Sequence, residues 1–276
     1  MKGSGVFSVP ILAPVVAILL WLCSTGTILA VVSRARDARV RLGSVIWGVP
    51  FFVFGWVGAA QSFGREDVLG IYLGIVSALA LWGWVELTFL SGVVTGPIKE
   101  RLPEGVGPGL RFARAFGALA WHELLLASVL LALYAMAAQS DQAVALWTYA
   151  ILWCARILAK LNIFLGVPGI NTEALPAHLG YLQSYFRRRD PSWFFPLSVT
   201  LLSLLTGLLV EGLLAAGDSL TQISLALLAT LSALALLEHW FMLIPFADAK
   251  LWRVIAPNLT KAPRVDTTHD YGGSAQ

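Results

Sequence analysis

Charged side chains are scarce in this chain. Asp, Glu, Lys and Arg together make up 13% of its 276 residues, about half the ~25% of a soluble domain. The shortfall excludes an ordinary cytosolic enzyme, an intrinsically disordered chain and a soluble nucleic-acid binder. Cysteine is scarcer still. Its 2 cysteines, Cys23 and Cys154, both sit in apolar runs, which excludes a disulfide framework and a Cys-based zinc site. Nucleophile elbows, glycine-rich phosphate loops and Cys-His zinc spacings are missing too. What is abundant is apolar: 58% of the chain is hydrophobic and the mean hydropathy is +0.76. This composition predicts an all-α integral membrane protein, surrounded by lipid bilayer and without a nucleic-acid partner.

Crossing the ~30 Å hydrocarbon core takes about 20 apolar residues. Seven segments qualify, near 8–32, 43–63, 68–94, 115–138, 143–165, 193–216 and 221–246. Runs of this length are too long for barrel strands, so they are helices, which satisfy their own backbone groups in lipid. The expected architecture is a transmembrane domain over 1–246, made of seven helices, followed by a tail over 247–276. Basic residues orient it. Arg34, Arg36, Arg39, Arg41, Lys99, Arg101, Arg111, Arg114, Arg187, Arg188, Arg189, Lys250, Arg253, Lys261 and Arg264 all fall on one side, against Lys2 and Arg65 on the other. The positive-inside rule then predicts an outside N-terminus and a cytoplasmic C-terminus in a multi-pass protein. Span one is too long for a signal-peptide core and reads as an N-out anchor.

Loops on the predicted outer side are short, around 64–67, 139–142 and 217–219. The other side carries 95–114, 166–192 and the tail. Within 166–192, Thr172 is positioned to cap a short helix whose Leu175, Leu179, Leu182 and Phe186 recur at helical spacing. Followed by Arg187, Arg188 and Arg189, it reads as an interfacial helix on anionic headgroups. A surface loop with ordinary positive-inside charge is the equal alternative.

Ionisable groups inside spans are costly and usually functional. Counting from the expected span ends, Glu86, Glu123, Arg156 and Glu238 each lie roughly 12–14 Å inside the cytoplasmic boundary. Glu211 snorkels near the outer end of span six, and Lys160 fits snorkelling to the cytoplasmic side. Arg156 is deeper and calls for Glu86, Glu123 or Glu238 as its charge partner. Trp121-His122-Glu123 in span four and Glu238-His239-Trp240 in span seven are mirrored. Antiparallel helices would therefore set both histidines at one level.

Three readings of this layer compete. One is a packing knot of ion pairs and interhelical hydrogen bonds. Another is an iron, manganese or zinc site built from His122, Glu123, Glu238, His239 and Glu86, although the Glu-x-x-His spacing of di-iron bundles is absent. The last is a tetrapyrrole pocket in which His122 or His239 ligates magnesium and Trp82, Trp84, Trp121 and Trp240 wall the ring. A single layer without a polar chain across the bilayer speaks against a transporter.

The stretch from Ala155-Arg156-Ile157-Leu158-Ala159-Lys160-Leu161-Asn162 through Pro168 carries a resemblance. With Leu175-Pro176-Ala177-His178-Leu179, Tyr181-Leu182, Ser184 to Arg189 and the two mirrored triplets, it resembles the PuhE family, photosynthetic-complex assembly proteins of purple and related phototrophic bacteria. The resemblance is most specific over 118–255. It implies a protein of the bacterial cytoplasmic or intracytoplasmic membrane that assembles the reaction centre and light-harvesting complex one, or supplies bacteriochlorophyll to them. Reaction-centre and light-harvesting subunits, or other assembly factors, would be its partners. The family transfers no catalytic residues.

The leading expectation is therefore an assembly factor whose layer holds or passes a magnesium tetrapyrrole, with His122, His239, Trp121 and Trp240 as its contacts. A membrane metalloenzyme acting on a lipid, quinone or pigment precursor is the alternative, and a pure scaffold the third. Turnover of any kind is left open by the residues.

Overall fold

A computed structural model describes residues 8–170 and 175–243, with side chains from Leu12 onward. It contains α1 (Ser8–Arg34), α2 (Ala38–Phe63), α3 (Val68–Leu90), α4 (Pro108–Ala137), α5 (Val144–Leu165), α6 (Phe194–Ala215) and α7 (Ser219–Phe241), with a 3-10 helix at Ala177–Tyr185. All seven α-helices are long and apolar enough to cross a membrane. Among the described residues there is no sheet, only an isolated bridge between Val167 and Arg188. The predicted seven-helix, all-helical membrane bundle is thus present. Thr172 and the tail from 247 lie outside the described residues.

Local chemistry sets the helix ends. Asp67 caps α3, its carboxylate accepting from the Gly70 N–H at 2.8 Å. Asp218 caps α7 in the same way through the Thr221 N–H at 2.9 Å. These caps satisfy N–H groups that the first helical turn leaves unpaired. Pro108 opens α4, where its missing N–H costs nothing. Gly166 ends α5 with φ +136°, and a Cβ there would strike the Arg189 side chain.

α3 is the hub, packing on α1, α2, α4, α5 and α7, while α6 rests chiefly on α7. Without a hydrophobic drive between helices in lipid, close approach comes from small residues. α2 supplies them: a Cβ on Gly58 would lie 2.2 Å from the Ser77 hydroxyl, and one on Gly55 2.7 Å from Leu81. The outward faces carry exposed Trp47, Phe51, Leu131, Leu208 and Leu214, as lipid-facing surfaces should. Buried polar ties add direction, with Asn162 donating to Ser198 at 2.9 Å and Thr206 bonded to Ser232 at 2.8 Å.

The helix ends depart from expectation where it matters most. α3 stops at Leu90 rather than 94, and α4 starts at Pro108 rather than 115. α5 continues about 13 Å past Arg156, whereas α3 continues only about 6 Å past Glu86, to which Arg156 is bonded. The chain after α3 therefore leaves the helix while still deep in the bundle. It then runs back along α4: the His122 N–H donates to the Thr95 carbonyl at 2.9 Å and the Ile98 N–H to the Gly117 carbonyl at 3.3 Å. Non-helical backbone at membrane depth is tolerated only where protein covers it. Here Thr95 and Gly96 are buried, and the Val93 and Val94 N–H groups both donate to the Thr88 carbonyl.

The segment read as an interfacial helix or a surface loop is neither. The 3-10 helix buries Leu179, Leu182 and Tyr185 against Phe89 and Ala118. It closes the basic end of the α3–α4 seam. The Tyr185 hydroxyl donates to the Glu100 carbonyl at 3.0 Å and the Leu102 N–H to Ser184 at 2.8 Å, tying the 91–107 segment beneath it.

Candidate functional site

The buried face of α4 repeats through Arg111, Ala118, His122, Leu126, Val129 and Leu133, a helical stripe that turns His122 inward. On α5, Tyr149, Trp153, Arg156 and Lys160 share one face by the same periodicity. These two stripes meet Glu86 of α3. Arg156 donates to Glu86 at 2.9 Å, with side chains 38% and 8% exposed. The other oxygen of Glu86 lies 3.7 Å from Nε2 of His122, whose side chain is 0% exposed. Phe89 stacks on the His122 ring with centroids 4.4 Å apart.

A second pair sits beside the first. Lys160 donates to Glu123, and its ammonium also lies 5.8 Å from the Phe89 ring centroid. Lys160 was expected to snorkel out to the interface. Its side chain is largely buried instead, because Glu123 on the neighbouring helix neutralises it where it stands. Two carboxylates, Glu86 and Glu123, stand against two cations, Arg156 and Lys160, a balance that suits a layer at membrane depth. Among the buried atoms here, Oε1 of Glu86, both ring nitrogens of His122 and Nε of Arg156 have no hydrogen-bond partner. Nor do the Tyr149 hydroxyl and Trp153 indole on the same face of α5.

The remaining predicted residues lie elsewhere. His239 is 1% exposed. Its Nδ1 is bonded to the Ala235 carbonyl at 2.8 Å, and no hydrogen bond, ion pair or ring contact joins it to Glu86 or His122. Glu238 is exposed on the outer side of α7. It stands three residues before the end of the helix, Phe241, where counting to a span end at 246 gives eight. Trp121 and Trp240 are exposed. Trp82 packs edge-on against Tyr149, and Trp84 donates to the Val45 carbonyl at 3.1 Å.

Among the described residues, no three His, Cys, Asp or Glu side chains stand close enough to share a metal ion. Glu86 and His122 make a pair, where zinc takes at least three protein ligands. For a tetrapyrrole the decisive feature is access to an imidazole. Phe89 covers His122 and helix packing encloses His239, so in this structure neither presents an open face to a macrocycle.

Three features were not foreseen. The first is the 93–98 segment. The second is Arg111, counted only as positive-inside charge: it is 6% exposed and donates to the Phe164 carbonyl at 2.9 Å and to the Tyr185 carbonyl at 2.6 Å. Its guanidinium lies 3.8 Å above the Phe164 ring centroid, locking α4 to the end of α5. The third is His178, whose Nε2 lies 3.0 Å from the Leu90 carbonyl. It thereby satisfies a carbonyl left open where α3 stops. Gly92, at φ +73°, makes room, since a Cβ would lie 2.7 Å from the imidazole.

His178 gives the fold a pH dependence. Burial holds its imidazole below the ordinary value, Arg41 pushes the same way, and the Leu90 carbonyl opposes them. The folded state therefore takes up this proton at lower pH than the unfolded chain. Neutral His178 contributes its full stability above the unfolded value of ~6.5, and that contribution is lost as pH falls through the folded value. The protection factors of amides over 177–185, exchange being corrected for its intrinsic base-catalysed rate, should fall as pH drops below about 6.5, and His178→Gln should flatten that response. An unchanged profile in the variant would place the titration elsewhere.

No solved structure matches the chain. A relative from Rhodobacter capsulatus, described as an uncharacterized 30.4 kDa protein in the puhA 5' region, is 42% identical over 257 residues, covering 91% of this chain and 92% of the relative. The model of the family described as protein of unknown function (DUF3623) matches residues 7–262. That match spans all the helices described above, and the chain belongs to this family.

Proposed function

We propose that the chain is a PuhE-type assembly factor for the photosynthetic reaction centre and light-harvesting complex one. It would act in the cytoplasmic or intracytoplasmic membrane of a phototrophic bacterium, N-terminus outside and C-terminus in the cytoplasm. The observation that carries this reading is the relative matching nearly the whole chain, which is described as a protein in the puhA 5' region. A photosynthesis-related role for that region fits the resemblance carried by 155–168 and the two mirrored triplets. Orientation rests on the one-sided placement of arginine and lysine.

The charged layer supports a holding role. Its pairs close within the chain, so the layer braces a rigid body against which other subunits are assembled. No step of the proposal runs through a pigment on His122 or His239, since both imidazoles are enclosed. The metalloenzyme reading needs a third ligand beside Glu86 and His122, and none stands among the described residues.

The test is deletion of the gene in a phototrophic host, followed by near-infrared absorbance of its membranes. The expected result is a fall in assembled reaction centre and light-harvesting complex one, restored by the full-length chain. Equal amounts of both complexes with and without the chain would overturn the assembly role.

A further inference from the structure

Three arginines ring the basic end of α5. Arg111 is bonded to the Phe164 carbonyl in the last turn, and the Arg187 N–H donates to the Ile163 carbonyl at 3.0 Å. The Arg189 side chain crosses Gly166, the residue that ends α5, so closely that a Cβ there would lie 2.4 Å from its Nε. Arg187 and Arg189 stand near enough to Arg111 to act on its charge. Like charges crowded together repel, and among the described residues none of the three forms an ion pair. Backbone carbonyls at the end of α5 offset part of that repulsion. The Ser192 N–H donates to the Gly166 carbonyl, while the buried Ser192 hydroxyl has no hydrogen-bond partner.

The surface leading to this end is apolar and uncovered. α5 packs chiefly on α3, α4, α6 and α7, and no close packing joins α4 to α6. The sector of α5 between those two helices exposes Trp147 and Cys154. At its basic end Phe164 meets exposed Phe112 edge-on, with centroids 5.8 Å apart. Acyl-chain surface and a cluster of guanidinium groups without a carboxylate partner among the described residues thus adjoin at one interface.

We propose that this corner is a specific site for an anionic phospholipid. Its phosphate would be held by Arg111, Arg187 and Arg189 with the Ser192 hydroxyl, and its chains would lie along the α4–α5–α6 sector. Charge complementarity selects the occupant. A zwitterionic lipid brings its own cation to a corner that already has three, whereas a phosphodiester of net negative charge relieves their repulsion. The buried Arg111 is what separates this site from ordinary basic-face charge, because it fixes the corner to the fold.

The full chain, purified and delipidated, is examined by native mass spectrometry with phosphatidylglycerol, phosphatidylcholine or inorganic phosphate added. The expected result is selective retention of phosphatidylglycerol, weakened about fivefold for each of Arg187→Gln and Arg189→Gln. Inorganic phosphate should not displace it. Arg34→Gln and Arg36→Gln, at the α1–α2 turn on the same basic face, should leave retention unchanged, α1 having no close packing with α5. Equal retention of both lipids, displacement by phosphate, or an equal loss in Arg34→Gln and Arg36→Gln would each overturn the site. Folding of Arg187→Gln and Arg189→Gln is checked by their melting temperature, and Arg189→Lys, which keeps the charge, should recover most of the retention.

Discussion

Replacing Glu86 by alanine is expected to destabilise the bundle by about 3 kcal/mol, the lower end of the range for breaking a buried ion pair. The lower end applies because Arg156 keeps 38% of its side chain exposed, so solvent or lipid headgroups partly screen it once Glu86 is gone. His122 loses the carboxylate 3.7 Å from its ring at the same time. The measurement is thermal unfolding of the purified protein in a bilayer nanodisc. Glu86→Leu combined with Arg156→Leu should recover much of the loss, since replacing both partners removes the stranded charge as well as the pair. If the double variant were as damaged as the sum of the singles, the two residues would not act as a pair.

Gly96→Val is expected to be at least as disruptive locally. A Cβ at Gly96 would lie 2.1 Å from the Gly117 carbonyl oxygen and 2.6 Å from the Ala118 carbonyl carbon. Both are backbone atoms of α4, so no rotamer change relieves the contact. Overpacking of this kind costs about 3 kcal/mol, and here it should be relieved by 91–98 lifting off α4. Limited proteolysis in reconstituted vesicles should then cut within 91–107. Gly109→Ala is the control: nothing lies within 4 Å of its added Cβ, and its stability should be nearly unchanged. Comparable damage at both positions would mean that the segment is not held against α4.

The spans were legible because lipid leaves few options for a long apolar run. Glu86, His122 and Arg156 were legible for a related reason: charge at depth is costly, so each such residue marks an interior contact. Partner choice was not. Depth counting fixes a residue along the helix axis but not around it, and small errors at span ends accumulate. Glu238 shows both effects, lying near the end of α7 on its exposed side. His239 shows the rotational one, buried with its Nδ1 on the Ala235 carbonyl of its own helix, while His122 lies against Glu86.

The 93–98 segment was illegible for a different reason. Its apolar Val93 and Val94 extend the hydrophobic run of α3, so hydropathy alone continues the helix. Only Gly96 followed by Pro97 breaks that pattern, and a glycine–proline pair reads equally well as a turn in water. What fixes the segment is contact with α4 and with the 3-10 helix, both distant in sequence. Arg111 was misassigned by the same limitation, since a basic residue beside a span satisfies the positive-inside rule whether it faces solvent or closes two helix ends.

Amide hydrogen exchange at His122 and Ile98 in nanodiscs tests the central claim most directly, that non-helical chain is held inside the bundle over the charged layer. Both N–H groups donate across the α4 contact, to Thr95 and Gly117, and both should be protected as strongly as amides in the middle of α3. Exchange of Ile98 at the rate of an exposed loop would contradict it, and would return 91–107 to the membrane surface.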